Sequence, residues 1–122
     1  MSKLKRIDPT AIPSMFQSLK VVPMRSVFAA RRKRKCCACP VGLLLIALEK
    51  RRTFPRGLDF IGALVLRSRY TSSYCQGLAI GWDGHPYKSE GCNAAEDREG
   101  RVGHRDGMAA WAACIAAGVA TT

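Results

Sequence analysis

The stretch that decides the fold is Ser73–Trp111, SYCQGLAIGWDGHPYKSEGCNAAEDREGRVGHRDGMAAW. Two segments of helical character flank a polar loop, and each carries three glycines. Gly77, Gly81 and Gly84 are spaced four then three, and Gly100, Gly103 and Gly107 three then four. Both spacings place glycines along one face of a helix with 3.6 residues per turn. A glycine inside a helix costs ~1 kcal/mol relative to alanine. Six of them in two short segments therefore imply a need for bare backbone, and the simplest need is close approach of one helix to another or to a ligand. The reading is a pair of helices in a hairpin, packed through Gly77, Gly81, Gly84, Gly103 and Gly107.

The local signals agree. Thr71-Ser72-Ser73 offers an N-cap to the first helix. Tyr74, Gly77, Leu78 and Gly81 then share a face, with Trp82 beside it. Asp83-Gly84-His85-Pro86 ends the helix, with Gly84 a residue just past the last turn and Pro86 beyond it. Lys88 to Asn93 reads as loop. Glu96, Asp97 and Glu99 suit the first turn of the second helix, where the helix dipole favours anions. Met108, Trp111, Ala112, Ile115 and Val119 form its expected apolar stripe.

The pattern Tyr74-x-x-Gly77-x-x-x-Gly81-Trp82-x-Gly84-x-Pro86, then Ser89 and Cys92 in the loop, then Gly103-His104-x-x-Gly107, resembles the ribosome modulation factor family. The likeness covers residues 73–111. Asn93-Ala94 follows Cys92 where that family has Pro-Tyr, and Gly100 stands where it has Trp. The resemblance implies a small two-helix protein that binds ribosomal RNA stoichiometrically and suppresses translation without catalysis. The partner it implies is therefore the ribosome or its RNA.

Outward from this stretch, charge divides the chain. Residues 1–70 hold sixteen Lys and Arg against Asp8, Glu49 and Asp59, whereas residues 71–122 hold four against six acids. The asymmetry predicts a basic arm over residues 1–35 and a near-neutral helical module over 71–122. Arg31-Arg32-Lys33-Arg34-Lys35 is the densest cluster, a run that repels itself and seeks phosphate. Lys88, Arg98, Arg101 and Arg105, the last three on one helical face, add a smaller anion-facing edge beside Tyr87. The alternative use of those arginines is surface pairing with neighbouring acids. Within the arm, Asp8-Pro9-Thr10 can start a short helix, Asp8 as N-cap and Pro9 at the first position, with Met15, Phe16 and Leu19 on its apolar edge. Pro23 interrupts it.

Residues 36–70 hold two apolar stretches, Val41–Leu48 and Leu58–Leu66, joined by the turn signal Thr53–Gly57 and bounded by Lys and Arg. They read as an apolar helical hairpin or an interfacial segment, too short to span a bilayer. Hence the second functional reading: a membrane-associated or protein-interaction subunit, attracted to an anionic membrane surface and without a nucleic-acid role. A third reading makes residues 1–70 an appendage to the folded unit.

Six cysteines, no disulfide-like spacing and no cleavable signal predict reduced thiols and a cytoplasmic protein. Cys36-x-x-Cys39 lacks the second pair that a structural zinc site requires, so no metal or cofactor is expected. His85 and His104 are the two histidines, and neither sits in a nucleophile–base arrangement. The sequence carries no phosphate-binding glycine loop and no H-E-x-x-H, and predicts neither catalysis nor an evident small-molecule substrate. The fold class expected is mainly α.

Overall fold

A computed structural model describes residues 6–19, 22–23, 25, 37–38, 70–89 and 93–120. The basic run 31–35, the apolar stretches 41–48 and 58–66, and most of the expected segment 36–70 lie outside these described residues. The protein is mainly helical, as the glycine and capping signals predict. A 3-10 turn at Pro9–Ala11 leads into α1 (Ile12–Leu19). Two two-residue strands, β1 (Val22–Pro23) and β2 (Cys37–Ala38), pair in parallel, Val22 opposite Cys37. Among the described residues the two long elements are α2 (Ser72–Trp82) and α3 (Ala94–Ala116).

The 3-10 turn, α2 and α3 each begin at a side-chain cap. Asp8 caps the first turn by accepting from the Thr10 amide, with Pro9 at its first position. Thr71 Oγ1 accepts from the Tyr74 amide at 3.2 Å. Asn93 and Glu96 form a reciprocal capping box at the start of α3, each accepting from the other's amide. Both long helices end alike. Gly84 (φ 80°) donates to Gly81 O while His85 donates to Ile80 O; Gly118 (φ 74°) donates to Ile115 O while Val119 donates to Cys114 O. This double bond around a left-handed glycine satisfies carbonyls the helix would leave open.

The glycines of α2 and α3 face each other. A Cβ on Gly81 would collide with the His104 carbonyl, and one on Gly77 with the Gly100 carbonyl. From the other side, Gly103 abuts Tyr74 O and Leu78 N, and Gly107 abuts Leu78 O and Trp82 N. Contacts thus advance together along both helices, so α2 and α3 run in the same direction. The consequence for the connection is large. Residues 84–89 travel back along α3: His85 meets His104, and Tyr87 meets Gly100 and Asp97. Backbones this close bring Cα–H groups onto facing carbonyls, a weak but repeated attraction. Gly84 stands apart from this seam. It closes α2, and a Cβ there would meet the Arg25 guanidinium rather than α3.

The buried face of α3 differs from the expected apolar stripe. Gly100, Gly103, Gly107, Ala110, Trp111 and Cys114 are buried, while Met108 (52 % exposed), Ile115 (37 %) and Ala112 lie outward. Hydrophobicity alone favoured Met108 and Ile115. The close seam instead selects the smallest side chains, and the helix is rotated accordingly.

The core is built on Trp82. Its ring stacks with Phe16 (centroids 6.1 Å apart) and meets Trp111 edge-on at 4.7 Å. Tyr74, Cys75, Leu78, Cys114, Ile12, Ile7 and Tyr70 complete it. Ile7, Ile12 and Phe16 belong to the region expected as a basic arm, and Phe16 sits on the expected apolar edge of its short helix. Residues 6–19 are thus part of the folded unit, because their apolar edge covers aromatic surface that the α2–α3 pair cannot cover by itself. A buried relay fastens them. The Ile7 amide donates to Tyr74 Oη at 2.9 Å, and that hydroxyl donates to Asp106 Oδ2 at 2.7 Å. Arg105 flanks the other carboxylate oxygen at 3.3 Å, and Arg6 reaches Glu99 at 2.8 Å.

Burial sets how this core responds to alkali. It pushes the Cys75 thiol from 9.0 up to about 12 and Cys114 up to about 11, and holds Tyr74 well above its usual 10.0. All three stay protonated in the folded state where the unfolded chain ionises. The folded state then binds more protons, so stability falls as pH rises. Urea midpoints should be flat between neutrality and about pH 8.5, the ordinary thiol range, and decline steadily above it. A midpoint that holds to pH 11 would show these groups to be solvated.

Candidate nucleic-acid interface

The cationic residues expected to bind phosphate fall into two sets. Arg31 to Lys35 lie outside the described residues. Lys88, Arg98, Arg101 and Arg105 are all exposed on the return loop and the outer side of α3. Two of the three arginines are engaged with acids. Arg101 Nε donates to Asp97 Oδ2 at 2.8 Å, and Arg105 lies beside Asp106. Surface pairing therefore coexists with exposure, since the Arg101 and Arg105 side chains remain 65 % and 71 % accessible. Hydrogen bonds from Arg101 and Ser89 hold the Asp97 carboxyl below its usual range. Among the described residues Arg98 has no carboxylate partner.

Tyr87 organises this edge, although nothing in its sequence setting marked it out for that role. The ring lies over Gly100, where any side chain would collide with it. Arg101 stacks its guanidinium over the same ring, 5.2 Å from the centroid, and the His104 ring meets it edge-on at 6.0 Å. A carbonyl can only accept, so the 2.7 Å contact from His104 Nε2 to His85 O places the proton on Nε2. Gly100, expected merely as a member of the second glycine triplet, thus serves both seams. Its carbonyl faces Gly77, and its Cα side carries Tyr87.

Between α2 and the returning loop runs an open groove of about 570 Å³. Ser73, Gln76 and Ile80, spaced three then four on α2, form one wall. His85, Pro86, Tyr87 and Lys88 form the other. No acid lines it. Its existence depends on the parallel course of the two helices, because only then must the connection double back beside α2. The spacing of Ser73, Gln76 and Ile80 was visible in the sequence, but nothing there showed what lay opposite.

At the far end of α2, Arg25 lies over the Trp111 ring, 5.1 Å from its centroid. Asp83 is raised above its usual carboxyl range by burial, offset in part by the charges of His85 and Arg25. Among the described residues no helix is long and apolar enough to cross a membrane, and no group of three or more metal-binding side chains gathers. Comparison of the chain with protein-family models, curated proteins and solved structures returns no match, so its own residues carry the functional reading.

Proposed function

We propose that this protein is a small RNA-associated accessory factor that acts by stoichiometric binding, with the ribosome as the first partner to test. The observation that carries this reading is the division of charge along the chain. Residues 1–70 hold sixteen Lys and Arg against three acids, whereas residues 71–122 hold four against six. A near-neutral pair of packed helices is thus preceded by a strongly cationic stretch of sequence. The cations supply long-range attraction to phosphate, and the folded unit supplies position through Lys88, Arg98, Arg101, Arg105 and Tyr87. The glycine pattern's similarity to the ribosome modulation factor family supports the same class of partner.

Binding of the full chain to ribosomes across a salt series tests this. About five phosphate contacts predict a loss of affinity on the order of 10²–10³-fold between about 50 and 200 mM salt. Replacing Arg98, Arg101 and Arg105 together by Glu should weaken binding and flatten the salt slope by up to about three contacts. Binding that is indifferent to salt refutes the reading.

A second reading, a protein-interaction subunit, is favoured by one specific feature. Met108 and Ile115 are seven residues apart on α3 and both exposed. Association through that stripe would hold or strengthen as salt rises. An attraction to anionic membranes would instead appear as salt-sensitive binding to acidic vesicles and not to RNA.

A further inference from the structure

We propose that the groove between α2 and the returning loop is a seat for one unpaired nucleotide, a refinement that rests on the RNA reading above. Its walls are chemically divided in the way such a ligand requires. Ile80, Pro86 and Tyr87 offer apolar surface to the flat body of a base. The Gln76 amide both donates and accepts, and can pair with a base edge. Lys88 and the Ser73 hydroxyl provide a cation and a donor for phosphate. Among the described residues the lining carries the Lys88 charge and no carboxylate. Arg101 stacks on Tyr87, one of the lining residues.

Size and access agree with that occupant. About 570 Å³ lies in the range of small-ligand sites. The groove is partly open to solvent, so a nucleotide can enter while still joined to a strand. A paired base cannot enter. In an A-form duplex its faces are stacked and its major-groove edge is out of reach of side chains. The groove therefore confers a preference for single-stranded over duplex RNA, which the cationic residues elsewhere in the chain do not.

The walls are also held rigidly. His104 bonds the His85 carbonyl, Tyr87 rests on Gly100, and Asp97 holds Arg101. A pre-formed site spends little affinity on ordering itself.

The test uses the full chain and a fluorescently labelled single-stranded RNA, with a duplex of the same sequence for comparison, at about 0.15 M salt. Gln76→Glu is the decisive variant. Gln76 is exposed, the exchange is nearly isosteric, and it sets a carboxylate in the groove without touching the helix seam. Circular dichroism verifies that it folds. The expected result is a preference of the parent protein for the single strand, lost by about tenfold in Gln76→Glu with duplex binding unchanged. Lys88→Gln should weaken single-strand binding in the same way. Adenosine monophosphate, with inorganic phosphate as control, separates two sources of the nucleotide. Displacement by the mononucleotide alone marks the free nucleotide as a sufficient occupant. No displacement, together with the Gln76→Glu loss, marks a nucleotide within a strand. Equal binding of single strand and duplex, both unaffected by Gln76→Glu, overturns the groove and leaves the RNA reading standing. No binding to any RNA overturns both.

Discussion

Replacing Gly81 by alanine should unfold most of this protein's margin of stability, although alanine is the better helix former. The intrinsic gain from Gly to Ala in a helix is ~1 kcal/mol. Against it stands a collision with backbone. A Cβ at Gly81 would overlap the His104 carbonyl oxygen and lie 2.9–3.0 Å from that residue's carbonyl carbon and Cα. None of these atoms can rotate away, because all belong to the wall of α3. Relief requires the helices to part, and parting them also strips the facing contacts at Gly77, Gly103 and Gly107. The expected net loss is about 3 kcal/mol or more, at the upper end of overpacking effects. For a small domain that lowers the melting temperature on the order of 10–20 °C. Gly107→Ala should behave alike, since it strikes Leu78 O and Trp82 N. Gly84→Ala is the informative contrast. Its Cβ meets only the end of the Arg25 side chain, which can swing aside. What remains is left-handed strain of about 1–2 kcal/mol. Thermal unfolding of the three variants should rank them in that way, and a Gly81→Ala protein as stable as the parent would refute the seam.

Trp82→Ala should be comparably severe by the opposite route. Trp82 is fully buried and joins three parts of the chain: Phe16 from α1, Trp111 from α3 and its own helix. Truncation removes the ring's apolar burial and leaves a void that rigid neighbours cannot fill. Such substitutions cost about 3–5 kcal/mol. The loss should be shared by the N-terminal segment, since Phe16 loses its stacking partner while the Ile7–Tyr74–Asp106 relay remains. Limited proteolysis should therefore cut near α1 in Trp82→Ala before it cuts α3. Equal protection of α1 in variant and parent would mean that Phe16 is held by something other than the tryptophan.

The same seam explains why the buried face of α3 departs from its apolar stripe at Met108, Ala112 and Ile115, while Trp111 and Val119 keep to the core side. Met108, Ala112 and Ile115 sit at helical spacing and are the more apolar choice. The residues that meet α2 are instead small, because the backbones approach too closely for a larger side chain. Hydrophobic periodicity marks a face that is apolar. It does not mark a face selected for lack of volume, and at Gly103, Gly107 and Ala110 volume decided.

Several features follow from the sequence by itself, because each depends on chemistry within one turn of the chain. Thr71 and Asp8 cap helices because their oxygens reach amides two or three residues on. Gly84 ends α2 because the left-handed conformation there favours a residue without a Cβ. Gly77 and Gly81 share a face because of helical pitch, and the mainly α class follows from these signals together. What the tertiary structure decided is which surfaces meet. The common direction of α2 and α3 depends on the loop's path, and no local rule fixes that path across eleven residues from Asp83 to Asn93. The inclusion of Ile7, Ile12 and Phe16 depends on aromatic surface contributed some sixty residues later. The Tyr74–Asp106 bond and the groove beside Tyr87 join groups far apart in sequence, and their partners exist only once both seams have closed.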